Sequence, residues 1–286
     1  MEAFNLEILE IPFQLQFSNS VFLPLNRRLY PFLVSELIET KHPTIITIID
    51  KSFDGLNSRD HFAKQEKSLS VEDRGADGYL FRYPTGQFTA NHTFTSVKMW
   101  LPFERQMSIN HDGFANFNGD PPLRLVMWGR ASIEGYCYMH GALIVLDGKY
   151  VLLVGQSGVG KTTLSNLACD CGASLLTEED PFISCPEDEP WAFTSPWPRM
   201  RGPEVPFSGK LSAIFYLRHD KQNTVRSLSI KESCHNLLQH SRTFNWLPQT
   251  LPLAIELFDK VAEKIPSYDF GFVPDRSAVE MIRDII

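Results

Sequence analysis

Residues 150–162 read YVLLVGQSGVGKT, and the fold turns on this stretch. The first five residues are continuously apolar, as in a buried strand. The next eight, GQSGVGKT, satisfy G-x-x-x-x-G-K-[ST] without exception. Residues 161–171 then place Leu164, Leu167 and Ala168 on one face, the spacing of a helix. Strand, glycine loop and helix in that order are what phosphate binding requires. Gly155, Gly158 and Gly160 let the backbone bend without Cβ clashes. The exposed N–H groups then surround a phosphate, and the helix N-terminus adds partial positive charge. Lys161 is expected to reach the β and γ phosphates, and Thr162 to offer its hydroxyl to Mg²⁺. The candidate ATP-binding residues are therefore Gly155, Ser157, Gly158, Val159, Gly160, Lys161, Thr162 and Thr163. No N-K-x-D for guanine follows, nor an LSGGQ-type segment of transporter ATPases.

Working outward, residues 136–146 (YCYMHGALIVL) read as one buried strand, and Asp147-Gly148 as a tight hairpin turn into the strand at 150–154. A helix is expected after Asp120-Pro121-Pro122, with Leu123, Val126, Met127 and Arg130 at helical spacing. Downstream, Gly172 ends the loop helix. Leu175-Leu176 is a short strand that ends in Thr177-Glu178-Glu179-Asp180-Pro181. Carboxylates at that end of a strand lie where ligands bind in α/β sheets. A kinase needs one to deprotonate the acceptor hydroxyl and one to hold Mg²⁺. A solvated acidic turn before proline is the competing reading, and the sequence leaves the two level.

The remaining C-terminal segments are scaffold. Residues 211–217 read as a strand and 229–239 as a helix with Ile230, Cys234 and Leu237 inward. Residues 251–265 form an amphipathic helix, and 275–286 a closing helix capped by Asp275. In residues 195–202 (SPWPRMRG), Arg199 and Arg201 are candidate phosphate contacts, since guanidinium forks match phosphate oxygens. Two surface arginines are the alternative. Trp197 reads as a packing anchor and Lys210 as a loop lysine.

Residues 1–120 differ. Residues 43–50 (PTIITIID), 79–83 (YLFRY) and 94–101 (FTSVKMWL) read as strands, with a polar loop over 51–77. His92 and His111 are isolated and read as structural or surface residues. The whole chain has 286 residues, 43% hydrophobic and 21% charged, a globular balance. Its 27 basic and 34 acidic residues give a net charge of −7, the wrong sign for bulk attraction to nucleic acid or anionic lipid. No apolar run approaches a membrane span, and Glu2, Glu7 and Glu10 sit where a signal peptide would carry basic residues. A cytoplasmic protein without nucleic-acid or membrane partners is expected. The five cysteines are irregularly spaced and read as small buried side chains rather than a disulfide or zinc framework.

From about Met139 to Pro186 the chain resembles the catalytic core of the HPr kinase/phosphorylase family. The resemblance is carried by Met139-His140-Gly141-Ala142, by the loop Gly155 to Thr162, and by Gly172-Ala173-Ser174-Leu175-Leu176-Thr177-Glu178-Glu179. Ser195-Pro196-Trp197, residues 211–217 and residues 265–282 extend it to HPr-kinase-like proteins of peptide biosynthetic clusters, lasso-peptide tailoring kinases among them. The resemblance spans roughly residues 120–286. It implies an α/β P-loop core of the HPr kinase/phosphoenolpyruvate carboxykinase type, with Mg²⁺-ATP-dependent phosphorylation of a serine hydroxyl. By position His140 matches the family's active-site histidine, and Glu178 and Glu179 match its paired aspartates. Both are Glu here, so Glu179, Glu178 or Asp180 is the base, with Thr162 and Glu178 expected to hold the metal. The family's C-terminal phosphorolysis signature is not recognisable.

The resulting expectation is a β-rich region at 1–120, a candidate peptide holder, and a catalytic domain at 121–286. The expected substrate is a lasso-type precursor peptide. Free serine or another small hydroxyl metabolite, and a non-catalytic regulatory module, are the alternatives. A homo-oligomer stays open.

Overall fold

The computed structural model describes residues 3–17, 29, 32–36, 42–50, 69–83, 86–101, 107–109, 115–117, 122–178, 181–194 and 206–286. The chain divides into two compact units, Met1–Arg130 and Ala131–Ile286. The division falls inside helix α1, Pro122–Ile133, whereas the sequence expectation placed it at residue 120.

The first unit is a seven-stranded mixed sheet. Its strands are β1 (Ala3–Ile8), β2 (Ile11–Phe17), β3 (Thr44–Asp50), β4 (Ser70–Asp73), β5 (Tyr79–Tyr83), β6 (Gly86–Ala90) and β7 (Ser96–Leu101), in the order β1-β2-β3-β7-β6-β5-β4. The pairs β2/β3 and β3/β7 are parallel. β8 (Met107–Ile109) and β9 (Ala115–Phe117) form a separate hairpin. Three strands lie where β-branched and aromatic content put them. The polar stretch 51–77 is not all loop: it contains β4 and a 3₁₀ turn at Gly75–Asp77. Phe81 stacks on Phe88 at 4.5 Å in the core. His92 is structural, with Nε2 2.8 Å from the Gly75 carbonyl and its ring edge-on to Tyr79. His111 lies outside the described residues.

The second unit has ten strands in one branched sheet. They are β10 (Cys137–Met139), β11 (Gly141–Leu146), β12 (Lys149–Val154), β13 (Ser174–Glu178), β14 (Phe182–Ser184), β15 (Trp191–Phe193), β16 (Ser208–His219), β17 (Thr224–Ser227), β18 (Ser241–Arg242) and β19 (Ser267–Phe272). β11 and β12 are antiparallel around Asp147 and Gly148, both at positive φ, so the expected tight turn forms. β12 runs parallel to β16, and β16 parallel to β19. β16 is long enough for its first residues to pair instead with β15, which carries the sheet on through β14 and β10 to β18.

Side chains alternate across β12, yet both sets are buried. Leu152 and Val154 join a core with Leu237 of α3 (Ile230–His240) and Leu257, Phe258 and Val261 of α4 (Thr250–Lys264). Val151 and Leu153 join a core with Leu164 and Ala168 of α2 (Lys161–Asp170) and Val279 and Ile282 of α5 (Arg276–Ile285). A strand covered on both faces must be apolar throughout rather than alternating. This is why residues 150–154 show no period.

Four local expectations are corrected. Residues 136–146 are two strands, β10 and β11, broken at His140. Ile230 is 53% exposed, because the Ser229–Glu232 capping box starts the helix there and turns this first residue outward. Cys169 is exposed on α2, while Cys137 is buried and its thiol is pushed up to about 12 by that burial. Ser229 and Asp275 cap α3 and α5 as short polar N-caps do. Lys210 is not in a loop but in β16, opposite Trp191 of β15, exposed and paired with Glu189 at 2.6 Å.

Candidate active site

The strand-to-helix connection is the centre of the site. β12 ends at Val154, and α2 begins at Lys161, with Gly160 as its left-handed N-cap. Gly158 and Gly160 have φ of +82° and +96°, values that a side chain would strain. A Cβ on Gly155 would lie 2.7 Å from Val159 Cγ1, so the loop closes on itself only with glycine there. Gln156, Ser157 and Gly158 are exposed, as are Thr162 and Thr163 on the first turn of α2.

Lys161 is 8% exposed. Its ammonium donates to the carbonyls of Gly155 at 2.7 Å and Gln156 at 3.1 Å, and it lies 3.2 Å from His140 Nε2. The charge is thus carried inside the loop rather than out in solvent. Ser165 Oγ donates to the Lys161 carbonyl, which ties down the start of the helix.

His140 occupies the break between β10 and β11. Its N–H donates to the His240 carbonyl at 2.9 Å, and the preceding Met139 N–H donates to the Pro181 carbonyl. Gly141 permits the break: a Cβ there would lie 2.8 Å from the Leu153 carbonyl oxygen. On the other side of the ring, Nδ1 lies 3.4 Å from Arg242 Nη2. A neutral imidazole has one lone-pair nitrogen, so it accepts from Lys161 or from Arg242 but not from both. Arg242 also sits over the Tyr138 ring at 5.6 Å, opposite which it pairs in β18. His240, at the end of α3, is half-buried. Burial, then the Lys161 charge, hold its imidazole below the ordinary 6.5.

Glu178 ends β13, opposite Ala142 of β11, while Ala142 also faces Leu153 of β12. Two strand spacings put its backbone about 10 Å from the end of β12. Glu178 is 3% exposed, and its Oε1 has no hydrogen-bond partner among the described residues. A buried carboxylate oxygen left unpaired is costly unless something else occupies it. An oxygen donor of this kind, with the Thr162 hydroxyl, suits a hard cation such as Mg²⁺. The described residues contain no cluster of three or more His, Cys, Asp or Glu side chains of metal-binding geometry.

The structure therefore brings Lys161, His140, His240 and Arg242 together at one corner of the loop. Glu179, Asp180, Trp197, Arg199 and Arg201 lie outside the described residues. Sequence reading missed Arg242 and His240. Each is a single residue in a stretch without motif, 102 positions from His140 in the case of Arg242, and only the β10/β18 pairing reveals them.

No protein-family model matches the chain, and no curated protein matches it. Among solved structures, an Hpr(Ser) kinase/phosphatase from Coxiella burnetii is similar at 13% identity with a TM-score of 0.34, over 52% of this chain and 95% of that one. Similarity of that size assigns neither a fold nor an activity. No helix among the described residues is long and apolar enough to cross a membrane.

Proposed function

We propose that the protein is a kinase that transfers the terminal phosphate of ATP to a serine-type hydroxyl. One observation carries the reading: a glycine loop between strand and helix holds a buried lysine ammonium, Lys161, against His140. The buried, unpartnered Glu178 oxygen supports it from the neighbouring strand end.

In this reading the loop N–H groups hold the phosphates and the Lys161 ammonium meets the charge of the transferring phosphoryl group. Arg242 adds a second cation, and His140 lies between the two and accepts from one of them. Thr162 and Glu178 would hold Mg²⁺, which supplies charge neutralisation on the phosphate oxygens. Glu179, or Glu178 or Asp180, accepts the proton of the acceptor hydroxyl, whose oxygen forms the new P–O bond as ADP leaves.

For the acceptor we propose a serine of a ribosomally made, lasso-type precursor peptide. Support for it is the resemblance of the flanking C-terminal segments to peptide-tailoring kinases. A non-catalytic nucleotide-binding module is the second reading, favoured by two glutamates standing where the resembled family has aspartates.

Mass spectrometry of candidate precursor peptides incubated with the protein, Mg²⁺ and ATP tests the proposal. The expected result is a gain of one phosphoryl group that Lys161→Ala abolishes. ATP binding with no transfer to peptide or free serine would favour the regulatory module.

A further inference from the structure

The far side of the loop carries a contact that none of the roles above uses. His219 is the last residue of β16, and Phe272 the last of β19, and the two are register partners in the parallel pair. Their rings stack at 6.3 Å with 27° between planes. Phe272 is buried and His219 exposed. The glycine loop rests on this pair. A Cβ on Gly160 would meet Phe272 Cζ at 2.9 Å and His219 Cε1 at 3.8 Å. His219 Nε2 lies 3.2 Å from the Gly158 carbonyl. A carbonyl can only accept, so Nε2 carries the proton and donates.

We infer that His219 is a positioning residue for the phosphate loop. Its N–H fixes the Gly158 carbonyl outward, which leaves the neighbouring loop N–H groups free to face a phosphate. This inference rests on the nucleotide reading of the loop.

The turn that presents His219 is itself tied down. Arg218 donates from Nε to Asp269 Oδ1 at 2.9 Å, from Nη2 to Thr224 Oγ1 at 2.9 Å, and from Nη1 to Asp220 Oδ2. The Asp220 N–H reaches the Phe272 carbonyl at 3.4 Å. A three-residue run, Arg218 to Asp220, is thereby locked to β19 on both sides of His219. A mobile surface histidine would lose side-chain entropy in making one weak bond. Here the neighbouring contacts hold the backbone that carries it in place. Gly158 and Gly160 sit at positive φ, and Gly160 is already held by the Leu164 N–H at the start of α2, so a brace on the Gly158 carbonyl limits the loop's remaining range before ligand arrives.

Two substitutions separate the hydrogen bond from the ring stack. His219→Phe keeps an aromatic ring on Phe272 without a donor. His219→Gln removes the ring but keeps an N–H at the reach of Nε2. Affinities for Mg²⁺-ATP and for tripolyphosphate are measured by calorimetry, with thermal melting as a check on folding and Lys161→Ala as the control. One net hydrogen bond predicts about three- to tenfold weaker binding of both ligands for His219→Phe. His219→Gln should return to within about twofold of the parent. Equal tripolyphosphate and ATP losses would locate the effect at the phosphates rather than the base. Wild-type binding by His219→Phe, while Lys161→Ala loses affinity, overturns the brace alone. Equal loss in both His219 variants also overturns it, since the ring and not the donor would then matter. Wild-type binding by Lys161→Ala, or no nucleotide binding by the parent protein, removes the phosphate-site reading and the brace with it.

Discussion

The glycine loop and the His140 corner meet at the Lys161 ammonium, yet they are built in opposite ways. The loop comes from eight consecutive residues, and much of its chemistry is main chain. The corner draws one side chain each from the β10/β11 break, the end of α3 and β18. A contiguous loop needs only permissive φ at its glycines and a helix start, so local sequence specifies it. The corner needs strand pairing first: β10 against β18 brings Arg242 to Tyr138 and beside His140. Side chains gathered that way have no spacing to read.

Four substitutions probe this difference. Lys161→Ala belongs to both regions and should have the largest effect, a loss of transfer of about 10²–10³-fold or more, read by phosphopeptide mass spectrometry. Retained transfer would mean that the two regions do not share a site. Gly141→Ala strikes the corner through its backbone, because the new methyl meets the Leu153 carbonyl at 2.8 Å. Urea unfolding should show a loss of about 2 kcal/mol. Arg242→Ala should lower kcat/KM about tenfold, as expected for the loss of a charge-assisted contact to the transferring phosphoryl group. An unchanged kcat/KM would leave the corner a structural feature beside a self-sufficient loop.

The smallest effect concerns His240. Its imidazole is held below 6.5 in the fold, so the unfolded chain binds a proton first as pH falls. The unfolded state then holds more protons, and stability rises with pH across the window between the depressed value and 6.5. The parent should therefore lose stability as pH drops below 6.5. His240→Asn should lose less, in melting curves taken across that window. Parallel curves would show that neither burial nor the Lys161 charge holds the His240 imidazole down.

How far the sequence could be read follows the same division. The hairpin at Asp147-Gly148, the cap at Asp275 and the helix start after the loop are all set by near neighbours. Each appears at or within a residue or so of its expected position. The run at 136–146 defeated the reading because β10 and β11 are apolar on both sides of His140. Continuous burial conceals a strand break that would show as a phase slip in an alternating strand. Ile230 failed for the converse reason: an apolar residue at a helix's first position is placed by the cap and not by the period. For Glu178, the sequence placed a carboxylate at a strand end. Its burial, and the oxygen left unpaired, come from packing in the sheet.

The sequence by itself determined the strand–loop–helix segment, the lysine within it and the acidic strand end that follows. Those features depend on backbone freedom and on neighbours a few positions away. Only the tertiary structure decided that Arg242 and His240 flank His140 and that the loop leans on His219 and Phe272. It also buried Glu178 with an oxygen unpaired. Those outcomes require strands distant in the chain to pair in one register, and the free energy that selects a register is spread over both faces of the sheet rather than written in any single segment.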